Sequence, residues 1–248
     1  MSDESLLAIL REAAAAVGSA LDGVTDWGPS GLRHSQYAAD VVADEAALTV
    51  LTRSGVNVLS EESGLDDRGH AITVVVDPLD GSTNASRRIP HFATSLCAVD
   101  DHGPVVALVV HQAAHSSWWA VRGAGAWRDG VALPPPPVRP WAECIVAVSG
   151  RPPESPGWAQ FRAFGASAID MCLVADGTVD AFVDMSPSAH GVWDYAAATM
   201  ICREVGLRVD DAQGRELFTL DHTARRTPIV ASETCFASAM ATRRRLEL

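Results

Sequence analysis

The chain has 248 residues, of which 48% are hydrophobic and 20% charged. That composition supports a sizeable buried core and excludes a disordered chain. The formal net charge of -12 lacks the basic footprint of a nucleic-acid or membrane-surface protein, yet it leaves room for an anionic substrate if divalent cations reverse the local sign of a site.

Leu6, Leu7, Leu10, Ala13, Ala14 and Val17 recur at helical spacing, with Ser2 or Asp3 as the cap and Gly18 or Gly23 as the stop. Residues 22–30 read as a loop. A second helix is predicted over 35–53, carrying Ala39, Val42, Ala46 and Val50 inward and ending at Gly55. Strands follow at 56–59, 72–76, 92–99, 105–111 and 116–121, apolar runs broken by turns such as Asp101-His102-Gly103, and together they predict a sheet meander. Four prolines at 134–137 suit neither helix nor central strand. A boundary placed there divides an N-terminal α+β lobe, 1–134, from a C-terminal α/β lobe, 141–248. In the second lobe the pattern predicts strands at 144–148 and 179–183 and helices at 166–175 and 195–204. Short strands near Leu207 and Ile229 follow, then a C-terminal helix whose Arg243-Arg244-Arg245 end complements its dipole.

Cys97, Cys144, Cys172, Cys202 and Cys235 are odd in number, widely spaced and without a CxxC pair, which predicts buried free thiols in a reducing cytoplasm. The acidic start Met1-Ser2-Asp3-Glu4 is unlike a signal peptide, and no apolar stretch is long enough to span a bilayer, so no membrane role is expected.

Several acids stand where an apolar element ends: Glu61 and Glu62 after the strand at 56–59, Asp77 and then Asp80 after the strand at 72–76, and Asp194 at the head of an alanine-rich helix. In Asp77-Pro78-Leu79-Asp80-Gly81-Ser82, Pro78 keeps Asp77 extended, and a tight turn gathers two carboxylates and the Leu79 carbonyl. These are hard oxygen ligands of the kind magnesium prefers. Gly81 lets backbone approach a ligand, and a helical turn opening at Ser82 or Thr83 would offer amides to a phosphate. Cation ligands beside an anion cradle suit metal-assisted phosphoryl transfer. Taken singly, the Asp-Pro-x-Asp-Gly stretch reads equally as a plain turn, and Asp194 as a helix cap. The two turn acids are one residue too far apart for a haloacid-dehalogenase nucleophile pair. An EF-hand loop, a P-loop, a G-x-S-x-G elbow and an HExxH pair are all absent.

Three motifs in order, Ser60-Glu61-Glu62-Ser63, Asp77-Pro78-Leu79-Asp80-Gly81-Ser82-Thr83-Asn84 and Trp193-Asp194-Tyr195-Ala196-Ala197, resemble those of the inositol monophosphatase family over nearly the whole chain. The resemblance implies a two-lobed alternating αβαβα sandwich of the sugar-phosphatase type. It also implies a lithium-sensitive, Mg2+-dependent hydrolase of small phosphorylated metabolites, inositol monophosphate or a similar polyol or sugar phosphate, and a homodimer. By position, Glu61, Asp77 and the Leu79 carbonyl would hold one metal, and Asp77, Asp80 and Asp194 a second. The backbone amides of Gly81 and Ser82 would bind phosphate. Asp40 would work with the Ser82 hydroxyl to activate water, with Glu62 as an acid behind them. Attack would be direct and in line, with no phosphoenzyme. Gly165, Ala166 and Ser167 match the segment beside the sugar, and Asp184 stands where many members bind a substrate hydroxyl. There the chain departs: Asp184 is shorter than the usual Glu, and the loop at 186–192 is longer. A second departure lies at 28–36, where Arg33 and Gln36 stand in place of the family's lysine and its usual approach to the catalytic acid. Alternatives on the same fold are a 3'(2'),5'-bisphosphate nucleotidase and a histidinol-phosphate phosphatase. An alternative of another class is a non-catalytic regulator that binds a partner protein.

Overall fold

The computed structural model describes residues 1–33 and 36–246. Helix α1 (Asp3–Asp22) starts where the Ser5 amide donates to Ser2 Oγ at 3.2 Å and ends at Gly23, with Gly18 inside it. Helix α2 (Ala38–Leu51) follows; Ser35, the predicted start, lies outside the described residues. The buried stripe of α2 is Ala39, Ala43, Ala47 and Val50, whereas Val42 is exposed and Ala46 half-buried. Ala39 and Val50 lie inward as predicted, while the other two inward positions fall one residue on, at Ala43 and Ala47, because the stripe also includes Asp40 and Asp44, which hydropathy alone assigns to solvent.

The first sheet contains β1 (Asn57–Ser60), β2 (Gly64–Asp66), β3 (Thr73–Asp80), β4 (Ala93–Asp100), β5 (Gly103–His111), β6 (Ser116–Val121), β7 (Gly125–Arg128) and β8 (Val131–Ala132). Their spatial order is β2-β1-β3-β4-β5-β6-β7-β8. β1 and β3 run parallel, and from β3 onward the strands form the antiparallel meander. A short helix, α3 (Ser82–Ser86), leaves the end of β3. The second sheet orders β9 (Ile145–Ser149), β10 (Gln160–Arg162), β11 (Ala181–Asp184), β12 (Arg208–Asp211) and β13 (Pro228–Ala231) as β10-β9-β11-β13-β12. Helices α4 (Ser167–Ala175), α5 (Val192–Glu204) and α6 (Glu233–Arg244) complete the chain. Strands β2, β7, β8 and β10 have no counterpart in the predicted elements. At two to four residues each they are too short to show a period.

Strand alternation builds the layers. Val74 and Val76 pack with Leu6, Leu10 and Val17 of α1 and with Ala43 and Ala47 of α2. Val75 and Cys97 turn the other way, against Ile169 and Met171 of α4 and Ala197 and Ile201 of α5. Phe182 and Val230 of the second sheet close on those helices from beyond. The opposite face, with Val146, Val183 and Ile229, is covered by Phe236 and Ala239 of α6. The result is an alternating αβαβα sandwich, mixed α/β, with two sheets and flanking helices. All five cysteines are buried and unbridged. Among the described residues no helix is long and apolar enough to cross a membrane.

Candidate active site

The acidic turn is a bulged extension of β3 rather than a loop beyond it. Asp77 pairs with Ser95 and Asp80 with Ala93, so three steps on β3 oppose two on β4. Pro78 cannot donate to the ladder, which places the irregularity there. In a regular strand Asp77 and Asp80 would face opposite sides of the sheet; the extra residue returns both to one side. It is the α4–α5 side, since Asp80 Oδ2 accepts the Ala168 amide at 2.8 Å. Thr94 Oγ1 donates to the Pro78 carbonyl at 2.9 Å and Ser95 Oγ to the Trp193 carbonyl at 3.1 Å, so two β4 hydroxyls hold the surrounding backbone. Glu61 extends β1 by one residue, its amide bonded to the Val76 carbonyl at 3.1 Å.

Two helix starts point into the same region. Asp40 in α2 and Asp194 in α5 are each the third helical residue, and each carboxylate returns to the amide before the helix, at Tyr37 (2.8 Å) and Gly191 (2.7 Å). The positive ends of the two helices favour these anions. Asp194 thus serves the helix end and remains available to the site. Gly191 is required for a steric reason: a Cβ there would lie 2.3 Å from the Trp193 ring.

One carboxylate oxygen each from Glu61, Asp77 and Asp194 lies within 4.8 Å of the others. Asp80 sits outside this trio, beside it, with one oxygen already used by Ala168. Burial first, and then repulsion from neighbouring carboxylates, pushes Glu61 and Asp77 well above the usual carboxylate range. Asp80 is raised well above it too, by burial and Asp194, against the Ala168 amide. Burial also raises Asp194, against His190, the Gly191 amide and Arg225. Among the described residues none of the four acids makes an ion pair. Like charges gathered with so little opposing charge are costly. A hard-oxygen cluster of this kind suits a divalent cation of the magnesium class.

Gly81 and Asn84 join the turn to the second half of the chain. Gly81 has φ +86°, and a Cβ would meet the His91 carbonyl and the Ala166 Cβ at 3.0 Å and the Gly165 carbonyl at 3.2 Å. Asn84 Nδ2 donates to the carbonyls of His91 and Phe164, both at 2.8 Å. Gly81→Ala is therefore expected to cost about 1–3 kcal/mol through left-handed strain and displaced backbone. A thermal melt checks this, with Tm expected several degrees lower. An unchanged Tm would show the turn to be less confined than these contacts require.

A cavity of about 180 Å³ opens here, lined by Asp40, Glu61, Glu62, Ser82, Arg33, Gln36, Trp193, His222 and Arg225. Burial raises the Asp40 carboxyl to about 6, against the Tyr37 amide and the Ser82 hydroxyl, which favour its anion. Glu62 is engaged by Arg33 and Gln36 through its carboxylate, and its carbonyl accepts from Arg33 at 2.6 Å. Arg33 and Gln36 thus hold Glu62. His222 and Arg225 were not anticipated. Both lie between β12 and β13, a stretch without periodicity, and no local pattern in it signals their position.

The expected substrate contact at Asp184 is not where the structure places that side chain. Asp184 is fully buried: Oδ2 meets His190 Nδ1 at 2.7 Å, and Oδ1 accepts the Ser186 amide at 2.8 Å and its hydroxyl. The loop at 186–192 folds His190 back over Asp184, and His190 and Ser186 engage both oxygens. His190 Nε2 in turn meets Ser167 Oγ at 2.7 Å. Asp184 therefore fixes Ser167 through His190. Gly165 and Ala166 pack on the Gly81 turn.

The model of the inositol monophosphatase family matches residues 3–246. A Methanocaldococcus jannaschii protein described as a fructose-1,6-bisphosphatase/inositol-1-monophosphatase is 33% identical over 201 residues, 78% of each chain. The Escherichia coli K12 Nus factor SuhB is 32% identical over 179 residues, 66% of each chain. A Pyrococcus horikoshii protein described as having similarities to inositol-1 monophosphatase superposes with a TM-score of 0.84 at 25% identity, covering 96% of each chain.

Proposed function

Since the chain belongs to the inositol monophosphatase family, we propose that it is a metal-dependent phosphomonoesterase that hydrolyses small polyol and sugar phosphates, inositol monophosphate among them. The observation that carries the reading is the convergence of one carboxylate oxygen each from Glu61, Asp77 and Asp194 within 4.8 Å of one another, with no ion pair to them among the described residues. Glu61, Asp77 and Asp194 would hold the cations, with Asp80 alongside and the Leu79 carbonyl between the turn acids. When bound, Mg2+ lowers the pKa of the attacking water and neutralises charge on the leaving oxygen.

The rest belongs to the chain. The turn at Gly81 and Ser82 presents backbone to the phosphate and orients it for in-line attack. The Ser82 hydroxyl, which favours the Asp40 anion, passes the water's proton to that carboxylate. Glu62, tied down by Arg33 and Gln36, adds negative charge behind Asp40 and helps keep its proton affinity high. Trp193 and His222 wall the cavity at a ring-centroid separation of 4.7 Å.

The test is a phosphate-release panel with Mg2+, covering inositol 1-phosphate, fructose 1,6-bisphosphate, histidinol phosphate and 3'-phosphoadenosine 5'-phosphate. Release from the polyol and sugar esters, dependent on Mg2+ and suppressed by lithium, is expected. Activity confined to the nucleotide would move the chain to the nucleotidase branch, and none at all would favour the non-catalytic alternative.

A further inference from the structure

The acidic turn is also held from the far face of the first sheet. Asp77 and Asp80 look toward α4 and α5, but the Pro78 carbonyl points the other way and accepts from Thr94 Oγ1 at 2.9 Å. Thr94 is fully buried on the α1 side. There Gln112 Nε2 donates both to Thr94 Oγ1 at 2.8 Å and to the Ala14 carbonyl of α1 at 3.1 Å. The backbone amide of Gln112 donates to the Phe92 carbonyl at 3.1 Å, so its side chain starts from a fixed point beside β4. One chain of hydrogen bonds thereby joins α1, β4 and the turn through the sheet.

The chain has only one sense. A carbonyl oxygen can only accept, and a hydroxyl has a single proton. Thr94 directs that proton at Pro78, so toward Gln112 it must accept, and the Ala14 carbonyl must accept as well. Both neighbours therefore require the nitrogen of the Gln112 amide, whose two protons match them one to one. The Gln112 oxygen is left facing α1 at Gly18, where a Cβ would lie 2.8 Å away. That approach accounts for a glycine inside a helix, a place where it otherwise weakens the element. At the other end, the Pro78–Leu79 peptide is trans, so its carbonyl and its N–H point in opposite directions. With the carbonyl held by Thr94, the Leu79 N–H faces Asp77 and donates to Oδ1 at 3.0 Å. Asp77 is one of the three acids that converge.

We propose that Thr94 and Gln112 are positioning residues for the cation site: from beyond the sheet they lock the 78–79 peptide, and through it the Asp77 carboxylate, in the orientation that receives Mg2+. The proposal rests on the metal-dependent reading of the carboxylate cluster. A buried carbonyl deprived of its donor turns toward another partner, and a rotated 78–79 peptide withdraws the Leu79 N–H from Asp77. The freed carboxylate must then be ordered as the cation binds, so the loss falls on Mg2+ affinity rather than on turnover once the ion is seated.

The test is a calorimetric titration with Mg2+ alone, substrate absent, for wild type, Thr94→Val, Thr94→Ser and Gln112→Met, beside phosphate release at saturating Mg2+. Thr94→Val keeps the shape of the side chain without its hydroxyl and is expected to raise the Kd for Mg2+ about tenfold, the low end of what the partners of metal ligands contribute. Thr94→Ser restores the hydroxyl and is expected to stay within about threefold of wild type, whereas Gln112→Met removes the donor and exceeds that limit. In all three, kcat at saturating Mg2+ changes little. Gln112 borders an open cavity of about 640 Å³ between α1 and β5, so its replacement needs no repacking of the core, and this variant decides the question if Thr94→Val does not fold. A Kd within threefold of wild type in either Thr94→Val or Gln112→Met overturns the proposal, even with a lowered Tm, because the pair would then only brace the sheet; the phosphatase reading stays intact. A Thr94→Ser protein that binds Mg2+ as weakly as Thr94→Val also overturns it, since the hydroxyl would not be the group that acts. A wild type that binds no Mg2+ removes the metal reading itself, and the proposal with it.

Discussion

Asp77→Asn is expected to abolish Mg2+-dependent phosphate release while raising the melting temperature of the metal-free protein. Asparagine has the same shape and keeps an oxygen to accept the Leu79 amide, now 3.0 Å from Asp77 Oδ1. What it removes is one charge from a buried cluster whose members repel one another. Asp77 is 1% exposed, so solvent does little to screen that repulsion. The proton linkage has a definite sign. A carboxyl whose folded pKa lies above its unfolded value binds protons more tightly when folded, so metal-free stability falls as pH rises from the unfolded pKa through the folded one. The variant loses one such group, so its stability falls less over that range, and near neutral pH it gains about 2–4 °C in Tm for each kcal/mol of repulsion relieved. Mg2+ then produces the opposite ranking: wild type is stabilised by the ion, as any ligand selective for the native state stabilises it, and the variant much less. The loss in kcat/KM is expected to be on the order of 1000-fold, the several kcal/mol attributed to metal ions in such sites. Melting curves with and without Mg2+, beside phosphate release, check both halves. A variant that keeps its turnover would show that Asp77 holds no catalytic cation.

Much of this site is legible in the sequence because each acid closes an apolar run. A strand that ends in Asp, another followed at once by Glu and a helix with Asp as its third residue are local signals, and the sandwich brings their ends together. The bulge at Pro78 is legible in principle, since Pro within a strand demands an irregularity, but its consequence appears only when β4 supplies the register. Asp184 shows where local reading stops. Its position suggests a substrate contact, and only the path of the 186–192 loop reveals that His190 and Ser186 have taken both oxygens. His222 reaches Glu61 across 161 residues from a segment with neither period nor motif. Two positions of the α2 stripe fall one residue beyond the predicted ones for a related reason: hydropathy sends Asp40 outward, whereas the site draws it in.

That inward Asp40 makes the second strong prediction. Asp40→Asn should lower kcat by about 10²–10⁴-fold, the usual range for removing a general base, with a much smaller change in KM. The amide retains an oxygen for the Tyr37 N–H, so the start of α2 is preserved. Toward Ser82, however, it can no longer take up a proton. Glu62 is a poor substitute because Arg33 and Gln36 occupy its carboxylate. The pH profile separates this role from a structural one. Burial, the largest influence, raises Asp40 to about 6, and the base must be ionised, so wild-type kcat should rise with pH along an acid limb. Cations bound nearby favour the carboxylate, which puts the midpoint of that limb at or below this value. In Asp40→Asn the limb should disappear from the residual activity. If the variant retains wild-type kcat, or loses activity with its acid limb unchanged, the proton leaves the attacking water by another route, and the Asp40–Ser82 pair only caps the helix beside it.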